Sequence, residues 1–267
     1  MVIYYINQSL DQRRTSNERG KSMRALVDGD ILLYRVGYTK QVETEAIAQY
    51  RMDELIQRIL DTVQATEHTI YLSCGRKDSF RAKLNPEYKA HRTQEKPVHY
   101  TFLRNYLTAK WNAVTAVEEE ADDLIGINLK GEDTIACTID KDILHGLEGN
   151  KYNFVKEEMF YTPAEDATLF FYKQLLMGDK ADNIFGLKGI GPAKASNALN
   201  ELLYESEEVL FDKVFSMYQD AFPEKEKQEI YDLILLSGQQ LKIRSYEGEL
   251  WQLPRRKNGQ RVDEERL

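Results

Sequence analysis

The sequence predicts an α/β core built on a mostly parallel sheet, followed by a nearly all-helical segment. Three observations carry this. Short apolar runs at Ala25–Val27, Thr69–Ser73, Ala113–Val117 and Thr134–Ile139 are separated by stretches of helical length, the pattern of strands joined by crossover helices. Two of these runs lead into an acid, Asp28 and Asp140, and functional groups in open parallel sheets collect at the carboxyl ends of strands. After about Pro163 the strand signals give way to helical periodicity.

In chain order, residues 1–22 have mixed composition and no clean period. They read as an N-terminal extension, either loosely ordered or packed as a surface arm, with Met23 a candidate start. Ala25–Val27 is a buried strand ending at Asp28, and the apolar run Ile31–Tyr34 follows it. Residues 44–66 are helical, with Ile47, Tyr50, Leu55, Ile56, Ile59, Leu60 and Val63 at helical spacing. Thr69–Ser73 is the second strand, Val98–Lys110 a helix, Ala113–Val117 the third strand, Glu119–Lys130 a helix and Thr134–Ile139 the fourth strand. Beyond Pro163, helices are expected at Ala164–Met177, Pro192–Leu203, Glu207–Tyr218 and Glu224–Ser237, with a glycine-rich loop at Gly178–Gly191. This divides the chain into an extension (1–22), an α/β core (23–162), a helical lobe (163–253) and a charged tail (254–267).

Composition excludes several classes. No apolar run approaches the roughly 20 residues of a membrane span, and Asn7, Gln8, Asp11, Arg13 and Arg14 interrupt any secretory signal core. Cys74 and Cys137 are too few for a disulfide framework or a thiolate zinc site, which points to a reducing, cytoplasmic setting. The 44 acids and 36 bases leave a net charge of −8. That excess equals the eight candidate metal ligands identified below, so it does not argue against a polyanionic partner.

The acids fall in three groups: Glu118-Glu119-Glu120-Ala121-Asp122-Asp123, Asp140-Lys141-Asp142 and Asp179-Lys180-Ala181-Asp182. Taken singly, such groups complement a helix dipole or cap a turn. Together they imply more. Glu120 and Asp123 share a helix face, as do Asp179 and Asp182 if their backbone is helical, and Asp140 and Asp142 share a face if the fourth strand continues through them. Carboxylates gathered without counterions repel and raise one another's pKa, and hard divalent cations with oxygen ligands relieve this. A pair of such ions suits phosphodiester hydrolysis. The clusters contain no histidine, which disfavours zinc.

Residues 75–104 hold eight bases, including Arg81, Lys83, Lys89 and Arg92, against three acids, with Tyr88, His91, Tyr100 and Phe102 interleaved. This suits phosphate contact and base stacking, or else an ordinary solvated helix. Gly186-Leu187-Lys188-Gly189-Ile190-Gly191-Pro192 precedes a helix, where backbone amides can receive a phosphate. A plain interhelical turn is the alternative.

These segments resemble the 5′-nuclease, or flap-endonuclease, family, which includes phage 5′–3′ exonucleases and the nuclease domain of bacterial DNA polymerase I. The matching stretches are Leu26–Tyr34, Phe80–Arg92, Glu120–Gly126, Thr138–Asp142 and Gly178–Ala195, in the family's order, over about residues 23–205. The resemblance implies a Rossmann-like (PIN-like) core, a helical arch near 75–110 and a helix–turn–helix variant gripping duplex DNA. It implies that Asp28, Glu120, Asp122, Asp123, Asp140, Asp142, Asp179 and Asp182 serve two or more Mg²⁺ ions, which Mn²⁺ can replace. Lys89 and Arg92 would contact the scissile phosphate with Arg81 in support, and Tyr88 would stack on the terminal nucleotide. Lys83, Lys188, Gly189, Gly191 and Lys194 would contact DNA, with K⁺ held at the Gly189–Gly191 turn.

One departure stands out. The family's acid at the end of the second strand is missing: the chain reads Tyr71-Leu72-Ser73-Cys74-Gly75, and Asp78 is the nearest acid. Either Asp78 reaches inward, or the site works with one ligand fewer, or Cys74 marks reduced activity. The expected function is a monomeric, stand-alone phage 5′–3′ exonuclease and flap endonuclease, since no polymerase region follows. It would act at 5′ ends, flaps or nicks of DNA or RNA–DNA hybrids by a single displacement. A PIN-type ribonuclease and a non-catalytic branched-DNA-binding protein are the alternatives.

Overall fold

The computed structural model describes residues 22–38 and 43–255. The extension expected over 1–22 and the charged tail therefore lie, apart from Ser22, Pro254 and Arg255, outside the described residues. Six strands, β1 (Arg24–Asp28), β2 (Glu67–Leu72), β3 (Val114–Thr115), β4 (Thr134–Cys137), β5 (Gly149–Asn153) and β6 (Glu158–Thr162), form one sheet in the order β3-β2-β1-β4-β5-β6. All neighbours are parallel except the β5–β6 hairpin. The helices are α1 (Gly29–Gly37), α2 (Glu45–Val63), α3 (Phe80–Leu84), α4 (Tyr100–Trp111), α5 (Ala121–Asn128), α6 (Lys141–Gly146), α7 (Ala164–Met177), α8 (Pro192–Leu199), α9 (Glu207–Ala221) and α10 (Lys227–Leu241).

β1 shows how the sequence makes the layers. Its side chains alternate between faces: Ala25 and Val27 pack with α1, α2 and α4, while Leu26 packs with α5, α6 and Ile243. A strand covered on both faces reads as an unbroken apolar run, and this one does. Chain order moves outward from β1 to β3, then returns to place β4 on the other side of β1. The two directions part at the carboxyl ends of β1 and β4, where a crevice forms.

The expected elements appear, with five local differences. In α2, Ile47 and Tyr50 are solvent-facing, and Ala48 and Met52 take the core. Stepping back from Leu55 by three and then four residues gives 52 and 48, so Ile47 and Tyr50 lie off the buried stripe. β4 stops at Cys137, and Asp140 instead caps α6, its Oδ1 accepting the Asp142 amide at 2.8 Å. The two acids are therefore brought together by a helix start and not by strand alternation. Glu120 and Asp123 occupy the N-cap and third position of α5, and the Glu120 amide donates back to Asp123. The β5–β6 hairpin has no apolar alternation to betray it, and it buries a lysine. Between α3 and α4 the chain forms turns and extended backbone.

Helices α7–α10 build a second core from Tyr172, Leu175, Leu176, Phe211, Val214, Tyr218, Ile230 and Ile234. One buried ion pair ties it to the sheet layers. Arg81, 1% exposed, donates to both Asp123 oxygens at 2.5 and 2.8 Å, and to the carbonyls of Gln240 and Lys242 that close α10. Asp123, fully buried, also accepts the amides of Glu120 and Arg244. Those four bonds use the roughly four acceptor positions of a carboxylate. Arg81 and Asp123, expected at the phosphate and the metals, are thus engaged with each other and with two polypeptide segments.

Two stability predictions follow from these buried charges. Arg81→Met leaves Asp123 charged and unpaired, so denaturant melts are expected to lose about 3–5 kcal/mol, with Arg81→Met/Asp123→Leu recovering part of it. An unchanged single variant would remove the pair from its structural role. Lys151 on β5 is fully buried, with its Nζ on the Gly149 carbonyl at 3.0 Å, and burial pushes its pKa down to about 7. Between pH 7 and the normal lysine range the unfolded chain holds a proton that the folded chain lacks, so this group makes stability rise with pH. Lys151→Met is expected to raise the melting temperature at pH 7 and to flatten the 7–10 pH dependence relative to the parent. A melting temperature lowered across that range would refute this.

Candidate active site

The crevice at the ends of β1 and β4 gathers the acids. Asp28 closes β1 and caps α1; its Oδ1 accepts the Ile31 amide at 3.2 Å and its Oδ2 accepts the Thr138 hydroxyl at 2.8 Å. Gly29 follows because a side chain there would strike the Tyr71 carbonyl, a Cβ coming within 2.6 Å of it. Thr138 also accepts the Asp140 amide at 3.0 Å, joining the ends of the two strands. From the β2 side comes Asp30, a residue the sequence reading passed over. Its Oδ2 accepts the Ser73 amide at 3.1 Å, while its Oδ1 is shielded from solvent without a hydrogen-bond partner. The nearest cation, Arg104, stands 3.8 Å away, beyond bonding distance.

Asp122, Asp142, Asp179 and Asp182 line a cavity of about 20 Å³ with Arg81, Tyr88, Gln174, Ile184 and Gln240, room for one water-sized occupant. Gln174 on α7 donates to Asp142 Oδ1 at 2.7 Å. The loop carrying Asp179 and Asp182 is pinned by two glycines. A Cβ on Gly186 would lie 2.2 Å from the Gly178 amide nitrogen, so backbone packs directly on backbone. Gly186 therefore serves the loop's closure, whereas Lys188, Gly189 and Lys194 are exposed on the turn and first part of α8.

Cationic side chains currently neutralise part of the acid set. Lys89 holds both Glu120 oxygens at 2.8 Å, Arg92 pairs with Asp182, and Lys141 reaches Asp142 at 2.7 Å and Asp179 at 3.2 Å. Tyr88, expected to stack on a nucleotide, is 1% exposed; its ring joins the helical core and its hydroxyl donates to Glu120 at 2.7 Å and Asp182 at 3.2 Å. Lys83 is on the surface, paired with Glu118.

The balance is uneven. Burial opposes the charge on Glu120, but Lys89 and Arg81 outweigh it and hold its pKa below the usual range. Asp28 lacks such a partner: burial, then Asp30 and Asp140, push its pKa up to about 7. Burial likewise raises Asp30, then Asp122 well above its usual value with Asp123 adding to it, and Asp142 with Asp140 adding to it. Cys74 supplies no substitute charge, since burial and Glu120 push its thiol up to about 11. Asp78 is exposed in a short 3₁₀ turn that folds back over Gly75.

Among the described residues, no three carboxylate, imidazole or thiol groups converge on one point closely enough to hold an ion as they stand. The donors nonetheless fit a hard divalent cation. All are oxygens, four are destabilised as anions by burial and mutual repulsion, and a shielded oxygen of Asp30 lacks a partner. The residues able to hold it are Asp28, Asp30, Glu120, Asp122, Asp140, Asp142, Asp179 and Asp182, but not the saturated Asp123. Of those missed in the sequence, Asp30 had a signal in its spacing two residues after Asp28. Thr138, Gln174 and Gln240 had none.

A family model described as 5′–3′ exonuclease, N-terminal resolvase-like domain, matches residues 23–170. The chain is 27% identical over 244 residues to DNA polymerase I of Bacillus subtilis (strain 168), spanning 79% of this chain and 27% of the polymerase. It is also 27% identical over 215 residues to a 5′–3′ exonuclease of Mycoplasma pneumoniae, spanning 66% of this chain and 71% of that protein. Among solved structures it is similar to a bacteriophage T5 flap endonuclease in a pseudo-enzyme–product complex with DNA and metal ions. That likeness has a TM-score of 0.56 at 18% identity and covers 79% of this chain and 98% of the other. The catalytic core of Rad2 in complex with DNA substrate matches with a TM-score of 0.51 at 18% identity, over 88% of this chain and 84% of that one. At these identities the structural likenesses establish the mixed α/β fold, and the family model, matching more than half of the chain, establishes kinship: the protein belongs to the 5′–3′ exonuclease family of nucleases.

Proposed function

We propose that the protein is a divalent-cation-dependent 5′–3′ exonuclease and flap endonuclease, hydrolysing phosphodiesters at the 5′ ends of DNA with Mg²⁺ as its ion. The observation that carries this reading is the set of under-compensated acids in the crevice beside Lys89 and Arg92: Asp28, which is buried, and Asp30, Asp122 and Asp142, which are half-buried. The ions would supply an activated water and stabilise the leaving oxygen.

The chain's own groups divide the remaining work. Thr138 ties the end of β4 to Asp28 at the end of β1, and Gln174 aims Asp142. Lys89 and Arg92 serve as stand-in counterions on Glu120 and Asp182. With cations held at those acids, both bases would be free to face the scissile phosphate, whose charge they match. Lys188 and Lys194, exposed around the Gly189 turn and the start of α8, grip the duplex backbone without reading its sequence. Asp30 supplies the carboxylate at the end of β2, where the strand itself offers only Ser73 and Cys74.

The test uses a 5′-labelled flap duplex with Mg²⁺. Asp140→Asn keeps the helix cap, because Asn caps as well as Asp, but removes the charge. Cleavage is expected to fall on the order of 100-fold or more and to vanish in EDTA; product undiminished in both would end the nuclease reading. Asp30→Asn keeps an acceptor for the Ser73 amide, so it is expected to raise the half-saturating Mg²⁺ concentration about 10-fold while sparing turnover at saturation. Asp78→Asn is expected to change neither, and the reverse pattern would return the role to Asp78.

A further inference from the structure

The cavity that holds Asp122, Asp142, Asp179 and Asp182 also has a wall from the helical lobe, beyond the segment matched by the family model. Gln240 on α10 is 3% exposed, and its side-chain amide nitrogen is buried without a hydrogen-bond partner. The orientation of that amide is fixed by its neighbours. Asn85 uses its carbonyl oxygen on the Glu87 amide at 3.1 Å, so its NH₂ faces Gln240. It lies 3.5 Å from Gln240 Oε1, which leaves Gln240 Nε2 as the unused end. The backbone beneath is held as well, since the Gln240 carbonyl accepts Arg81 Nε at 2.8 Å.

A buried donor with no acceptor is a cost that folded proteins rarely carry. Gln240 also lines a cavity of one-water size walled by four acids, where an oxygen of a cation's shell would fit. We propose that Gln240 is a positioning residue of the divalent-cation site, its amide donating to an oxygen atom, from solvent or from a phosphodiester, that accompanies the ion in this cavity. The inference rests on the cation reading of the crevice and extends it: the helical lobe that holds DNA also completes the ion's surroundings. Gln174 shows the same lobe already engaged there through Asp142.

The experiment measures Mn²⁺ binding to the DNA-free protein by calorimetry, alongside thermal melts without and with Mn²⁺. Gln240→Leu is expected to weaken Mn²⁺ affinity by about 10-fold or more and to shrink the Mn²⁺-induced rise in melting temperature. Its metal-free melting temperature is expected to stay level or rise, because an unpartnered donor has been removed. Gln240→Met, which keeps the length, should behave alike and substitutes if the leucine variant does not fold. Gln239→Leu breaks a structural bond to the Trp251 carbonyl; it should lower the metal-free melt while leaving Mn²⁺ affinity intact. Repeating the titration with an uncleavable 5′-phosphorylated duplex separates the oxygen sources: a defect seen only with DNA assigns the phosphodiester, and one seen without it assigns solvent. Unaltered Mn²⁺ affinity both with and without DNA, together with a lowered metal-free melt, would make Gln240 merely structural and overturn the proposal. Absence of Mn²⁺ binding by the parent protein would instead overturn the cation reading itself.

Discussion

Negative charge buried at the carboxyl ends of β1 and β4 is the constraint around which the molecule is arranged. Asp28 and Glu120 are buried and Asp30, Asp122 and Asp142 half-buried, and charge withdrawn from water is costly unless something opposes it. The protein answers unevenly. Glu120 receives Lys89, Asp182 receives Arg92, and Asp142 and Asp179 share Lys141, whereas Asp28 and Asp30 are left to repel each other. A site that balanced all its charge internally would have no reason to bind a cation. One left partly unbalanced stores an affinity for an ion and, through it, for a phosphate.

Holding that imbalance requires rigidity, and the Arg81–Asp123 pair supplies it. Asp123 sits beside Asp122 on α5, and Arg81 reaches across to the carbonyls that end α10. The sheet crevice and the helical lobe are thereby fixed relative to one another through one guanidinium. The same stretch, from α3 through Lys89, carries both the strut and a base that meets the acids. Gly186 packed on Gly178 performs the equivalent task for the Asp179–Asp182 loop.

Much of this was legible before any coordinates. Short apolar runs and helical spacing located β1, β2, β4 and α7 closely, because a strand covered on both faces leaves an unbroken apolar run and a helix a period of about 3.6. The acid clusters and the basic stretch marked the groups that the fold brings together at the crevice. What escaped was either short or polar: α6, capped by Asp140, spans six residues, and the β5–β6 hairpin buries Lys151 where pattern reading expects an apolar side chain. Within the site, residue type did not show burial: Arg81 and Asp123 pair with each other, and Tyr88 turns its ring to the helical core while its hydroxyl meets Glu120 and Asp182.

The sequence by itself determined the α/β class, the acids that follow its first and fourth strands and the kinds of group gathered nearby, since periodicity and residue chemistry are local properties. Tertiary structure alone decided which of those groups remain available. A carboxylate's role depends on who occupies its lone pairs, and the partners of Asp123 come from positions as distant as Arg81 and Arg244. Likewise Asp30 gains its place from the Ser73 amide just past β2, and Gln240 from a cavity that no stretch of sequence contains. Distance in space, not along the chain, sets burial and saturation, and those two quantities separate the groups that hold the fold from the groups left to do chemistry.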